Sequence, residues 1–369
     1  MSLTKVTNSM IKGAVASVLD YGADNTGADD SATAISNAIA SGAGVVELPA
    51  GTYKIASTIS IPSNVILLGQ GFGTSGAKTT ISYTGSGNAV EYVGTSGTPV
   101  RWGGIENISI TAASSCNAVL RVKGAREGSF TNVSLIGASN ADYCLLVEAD
   151  TNYGTYYNTF TQVEGVGSAI ANLLVNGDVA TTGTARANGN SFFDCRFDSG
   201  NGVGMSLSGC DQIDFFGQAV EGNTGTGVVI GVSGETEPTR VSFFGGYIEN
   251  QSATYDLDSS NASTGGNGPI NFFATRISSA KIAPGSLYRN YGMAGQIVSE
   301  TDVILERPAA NTLATDGTFQ VGRGGDARYN EGILRLGTYY LWVDTSDRLR
   351  IKSSAPTSDT DGVIVGTQS

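Results

Sequence analysis

Hydrophobic and polar positions change period once along this chain, near its start. In "DDSATAISNAIASGAG" the apolar Ala32, Ile35, Ala38 and Ile39 recur at helical spacing. Asp29 or Asp30 is placed to cap the N-terminus, and Gly42 or Gly44 to stop the helix. The pattern predicts one amphipathic helix over about residues 30–41. Downstream the helical period is lost, and "VVEL", "YKIA", "TISI" and "VILLG" read as short strands punctuated by Gly, Pro and Asn.

From about residue 100 to 280 a looser repeat takes over: an apolar residue, another three positions on, a third two later. Ile105/Ile108/Ile110, Phe130/Val133/Leu135 and Phe192/Cys195/Phe197 show it, and equivalent residues are 25, 30, 32, 23, 28 and 29 apart. Irregular periods with β composition predict a solenoid whose rungs differ by loop insertions. A sandwich supplies strands without in-register recurrence, and a propeller needs longer four-stranded blades. The predicted class is all-β, a right-handed parallel β-helix over residues 15–280 with a short N-terminal capping helix. Residues 281–310 read as a connector, and 311–369 as a small antiparallel β module with the hairpin signal "YYLWVD-TSD-RLRIK". Tyr339, Tyr340 and Trp342 there suit a sugar platform or, more ordinarily, the core or interface of such a module.

Composition narrows the chemistry. The 369 residues include 51 glycines and no histidine, with a net charge of −12. The missing histidine removes Ser-His-Asp and Cys-His catalysis and the usual zinc sets. No cluster of Lys and Arg suits a phosphate backbone, so no nucleic-acid partner is expected. The stretch "MSLTKVTNSMIKGA" has no apolar signal region and no run reaches membrane-spanning length, so no membrane insertion is expected. Cys116, Cys144, Cys195 and Cys210 lack metal spacing and read as reduced core thiols. The sequence points to no metal and no cofactor.

The candidate site comes from aligning four paired phenylalanines, in "NSFFDCRFDSGN" (190–201), "QIDFFGQAVEGN" (212–223), "RVSFFGGYIENQ" (240–251) and "PINFFATRISSA" (269–280). Asp198, Glu221 and Glu249 then fall in one file, which Ser278 continues. Following the inward Phe197, Val220 and Ile248, the acids are expected to face outward in consecutive rungs about 5 Å apart. That is the separation of a retaining glycosidase pair; Asp198 and Glu249, about 10 Å apart, lie near the inverting limit. Stacked like charges raise the pKa of one member, as a general acid requires.

The same file suits sugar binding without hydrolysis, or a hydrated edge. "DSGN", "EGN" and "ENQ" are turn-like, and Asn201, Asn223 and Asn250 fit corner ladders. Strict alternation is read as turning Arg196, Tyr247 and Arg276 inward, leaving the acids without an obvious cation unless a turn intervenes. Arg196, Tyr247, Asn223 and Asn250 are the substrate-binding candidates beside the file. Tyr153 and Tyr156, with Tyr157, are candidate stacking residues or pack between loops or protomers. Weaker candidates are Asp211 and Asp214, Glu235 and Glu237 in an overhanging loop, and Asp256 with Asp258 as a cation pair.

"DYGAD" at 20–24, "TGADDS" at 26–31, the helix with Ile35 and Ile39, "VVELPAGTY" at 45–53 and "GQG" at 69–71 resemble the pectate-lyase-like β-helix superfamily, with the look of bacteriophage tailspikes and tail fibres. "SLTKVTNSMIKGA" at 2–14 resembles the lead-in of phage tail proteins, and the last stretch resembles their C-terminal module. The resemblance implies a homotrimer on a virion tail that contacts a bacterial surface polysaccharide. Residues 1–14 would attach to other tail proteins, and the C-terminal module would trimerise. It leaves two readings open, a depolymerase of the glycoside hydrolase type and a non-enzymatic receptor-binding fibre. Pectate lyases of the superfamily use calcium-binding acids with a basic residue, and no such cluster stands out here.

Overall fold

The computed structural model describes residues 15–291 except 74–77, 96, 150–152, 178–185, 232–237, 250, 263–269, 278–280, 284–285 and 287. Nearer the C-terminus it describes 334–336, 339–343, 346, 348–354, 357–358 and 360–365. The chain forms two compact units, Met1–Ile304 and Leu305–Ser369.

The first unit is a parallel β-solenoid. One sheet has eight strands, one per turn: Ile59–Ser60, Asn88–Val93, Cys116–Lys123, Ala141–Glu148, Ala171–Asn176, Val203–Ser208, Val228–Ile230 and Leu257–Asp258. The other wall is a 22-stranded sheet that bends at corners in each rung. The register follows the repeat, with Phe130 opposite Phe160, Phe192 opposite Phe215, Phe215 opposite Phe243 and Phe243 opposite Phe272. These rings stack inside at centroid separations of 4.6 to 4.9 Å, the strand spacing itself. The second phenylalanine of each pair faces outward, and Phe193, Phe216, Phe244 and Phe273 make a half-buried outer stack.

The corner explains the three-then-two spacing. Two residues after Ile105 and after each stacked ring the backbone is left-handed, at Asn107, Asn132, Gln162, Asp194, Gly217, Gly245 and Ala274, with φ between 49° and 69°. That residue breaks alternation, so the next inward position comes three places on instead of two. Cys195 takes the position of Val133 and Val163 and is buried, as are the other three thiols. Burial pushes Cys144, Cys195 and Cys210 up to about 12 and Cys116 to about 11.

The helix is Ala32–Ile39, its Ala32, Ile35 and Ala38 joined to the core. Its N-cap is Ser31, not Asp29 or Asp30; the Asp30 carboxylate instead accepts from the Ala32 and Ala56 amides. It ends at Ala40, before Gly42. Ahead of it Asp24 accepts from the amides of Thr26, Ala28 and Asp29, and these bonds hold its carboxyl down at about 2.

The second unit contains an antiparallel sheet of Leu334–Leu336, Tyr339–Val343, Leu349–Lys352 and Val363–Ile364. Its central hairpin pairs Leu341 with Ile351 and Trp342 with Arg350. Tyr339 is exposed and Tyr340 half-buried, while the side chain of Trp342 lies outside the described set.

Candidate functional site

Two outward files run side by side after the second corner of each rung. Register places Glu164, Arg196, Ala219, Tyr247 and Arg276 in one. Val166, Asp198, Glu221 and Glu249 form the other, with Glu221 directly opposite Glu249. Arg196, Tyr247 and Arg276 therefore do not point inward. They flank the inward Phe197, Ile248 and Ile277 on the same face as the acids, since residues two apart on a strand share a face.

Cations accompany every acid of the file. Arg196 contacts Asp198 through Nε, Glu221 Oε1 at 3.5 Å and Glu164 Oε1 at 3.7 Å. Arg276 Nη2 lies 2.9 Å from Glu249 Oε2, and the Tyr247 hydroxyl donates to Glu221 Oε1 at 3.3 Å. Asp198 is less outward than its register suggests, at 2% exposure. Burial raises its pKa, the nearby Glu164 and Glu221 charges add to the rise, and Arg196 opposes it. Tyr247 is also raised, by burial and then by the charge of Glu221.

Beneath the acids runs an internal amide ladder. Asn172 Nδ2 donates to the Asp198 carbonyl at 2.7 Å, and Gln251 Nε2 to the Glu249 carbonyl at 2.7 Å. Asn223, expected at the surface, is the fully buried middle member, its amide engaged by Asn172, Gly200, Phe197 and Glu221. It positions the file from inside and does not reach a ligand. Asn250, Ser278, Glu235 and Glu237 lie outside the described residues.

The remaining candidates scatter. Asp211 is ion-paired with Arg240 at 3.1 Å. Asp256 is buried, 3.8 Å from Lys281 Nζ, whereas Asp258 accepts from Ser260, so the two do not converge on a cation. Tyr153 and Tyr156 are half-buried and belong to earlier rungs than the acids. Glu164 escaped the sequence reading, although it precedes Arg196 by the same 32 residues that separate Phe160 from Phe192.

A family profile described as rhamnogalacturonase A/epimerase, pectate lyase-like, matches residues 15–229. The chain belongs to this pectate-lyase-like family. A second profile, capsule depolymerase, matches residues 293–367. No curated protein sequence matches the chain.

Among solved structures, the mannuronan C-5 epimerase A-module of Azotobacter vinelandii aligns over 75% of this chain and 74% of its own, at 16% identity and TM-score 0.56. ORF18 of Geobacillus virus E2 aligns over 95% and 75%, at 17% identity and TM-score 0.56. The N-terminal fragment of bacteriophage phi29 gene product 12 aligns over 70% and 46%, at 15% identity and TM-score 0.54. At these identities the likeness concerns the fold.

Proposed function

We propose that the chain is a phage tail protein that engages a bacterial surface polysaccharide through the outer face carrying Asp198, Glu221 and Glu249, and hydrolyses it there. The observation that carries the chemistry is the in-register stacking of these carboxylates, with Arg196 spanning Asp198 and Glu221. Neighbouring rungs set such groups about 5 Å apart, the separation of a retaining pair. Asp198, whose burial favours the protonated form, is assigned as proton donor to the glycosidic oxygen. Glu221, steadied by the Tyr247 hydroxyl, is assigned as the nucleophilic carboxylate. The Arg196 side chain is half exposed and must swing aside for a sugar to reach Asp198. Glu249, held by Arg276, extends the same face as a substrate contact or alternative partner.

The capsule depolymerase match and the phage proteins among the structural relatives support the setting, a virion tail at the host surface. In this reading the protein is a homotrimer, residues 311–369 assemble it, and residues 1–14 attach it to other tail proteins.

A second reading, a receptor-binding fibre without chemistry, draws on the same pairings. Each carboxylate of the file already has an intramolecular partner, and Asp198 is nearly closed to solvent.

Spotting the protein on lawns of encapsulated bacteria separates the readings. Clear halos, abolished by Glu221→Gln and by Asp198→Asn in folded protein, support hydrolysis. Binding of labelled protein to cells without halos supports the fibre. Halos that survive both changes remove these carboxylates from the chemistry.

A further inference from the structure

The first corner of each rung is also left-handed, and what occupies it is uneven. Trp102, Glu127, Tyr157, Gly189, Gln212 and Arg240 take it in turn, with φ between 52° and 66°. Gly189 meets this conformation without strain, whereas a large ring does not. Trp102 and Tyr157 are nevertheless 59% and 64% exposed, so burial does not explain them. The Tyr157 ring lies over Gly189, 2.8 Å from where a Cβ would stand.

Arginines accompany these rings. The Arg101 guanidinium lies 5.7 Å from the Trp102 ring centroid, and that of Arg126 lies 5.0 Å from the Tyr156 ring. Tyr156 is in turn 6.2 Å from Tyr157. Register sets Arg101 beside Arg126 and Arg126 beside Tyr156. Glu127 matches Arg101 at 3.8 Å, but among the described residues Arg126 has no carboxylate at ion-pair distance, and its Nε is buried without a hydrogen-bond partner. On a chain of net charge −12, an uncompensated guanidinium between two strained, exposed rings lacks a structural explanation.

We propose that Arg101, Trp102, Arg126, Tyr156 and Tyr157 form a binding strip for a carboxylate-bearing polysaccharide, separate from the acid file. This rests on the reading of the chain as a glycan-engaging protein and adds a second contact with a stated ligand chemistry. Trp102 and Tyr157 stand two rungs apart, about 10 Å, and offer faces to two sugar rings of one chain. Arg126, in the rung between, takes the sugar carboxylate in the forked geometry that guanidinium groups favour. The strip lies at and just before the first corner in the rungs of Ile105, Phe130 and Phe160. The acids follow the second corner, in the rungs of Phe192, Phe215 and Phe243.

The test is affinity electrophoresis of the whole protein in gels containing polygalacturonate, polysialate or neutral dextran. The expected result is retardation by an acidic polymer and none by dextran. Arg126→Gln and Trp102→Gly should each weaken it about tenfold or more. Trp102→Gly should leave the melting temperature unchanged or raise it, because glycine relieves the left-handed strain. A lower melting temperature for that variant would make the ring structural and overturn its assignment. Equal retardation by dextran overturns the ligand class, and retardation unaffected by the variants overturns the site. Absence of retardation by either acidic polymer overturns the proposal; cell binding by the labelled native protein in the lawn experiment would then show that glycan engagement itself survives.

Discussion

Asn223 Nδ2 donates to the main-chain carbonyl of Glu221 at 3.2 Å, from inside the solenoid to the residue whose carboxylate faces out. Asn172 does the same for Asp198 and Gln251 for Glu249, so a buried amide sets the backbone of each acid. Asn223→Asp keeps the acceptor for the Gly200 amide but loses the donor to the Phe197 and Glu221 carbonyls. The Glu221 carbonyl keeps the Ser199 amide at 3.1 Å, but losing the amide donor and burying a carboxylate beside two carbonyl oxygens is expected to cost about 3 kcal/mol, read as a lower midpoint in urea. Cell binding or halo formation should fall further than the loss of folded protein explains.

Asp198 makes stability depend on pH in a defined direction. Its folded pKa is raised above the ordinary carboxylate value, first by burial. The folded state therefore holds this proton more tightly than the unfolded chain does, and the group's contribution declines as pH rises from the unfolded value through the folded one. Asp198→Asn removes the decline. Melting temperatures of parent and variant should converge near pH 4 and diverge in favour of the variant toward pH 7. A gap that moves the opposite way would mean that the Arg196 contact outweighs burial.

Much of the fold was legible because solenoid packing writes each core position several times. The Phe130-to-Phe272 stack and the three-then-two spacing are properties of one rung, repeated. The site was half legible. Glu221 and Glu249 lie in the file that the aligned phenylalanines predict, but alternation was carried one step wrongly for Arg196, Tyr247 and Arg276. Asn223 was misplaced for a different reason. A turn-like "EGN" reads as surface, yet the corner folds its amide inward, where it donates to the Phe197 and Glu221 carbonyls. The Arg126–Tyr156 contact had no sequence signal, because the two residues are 30 apart and meet only through register.

The second corner offers a test of the backbone argument alone. Ala274 has φ 52° where Gly217 and Gly245 occupy the same place in the two preceding rungs. Ala274→Gly should stabilise the protein by about 1 kcal/mol, because relief of left-handed strain exceeds the entropy that glycine adds to the unfolded chain. Gly245→Ala should destabilise it by about the same amount, since a new Cβ there meets nothing within 4 Å and only the φ strain remains. Urea midpoints of the two variants should move in opposite directions.

Phe192 carries the inner stack at the rung of the acid site, with its ring 4.6 Å from Phe160, 4.7 Å from Phe215 and 6.4 Å from Phe197. Truncation to alanine opens a cavity between two stacked rings that the sheet register prevents from closing. Phe192→Ala should therefore cost about 3–5 kcal/mol. Phe197 follows it around the corner and immediately precedes Asp198, so the damage should reach the candidate site. Phe192→Leu, which refills most of the space, should retain most of the stability, and denaturant midpoints measure both. A loss below about 1 kcal/mol for the alanine variant would show that neighbouring rungs slide to fill the gap, contrary to a register fixed by repeated stacking.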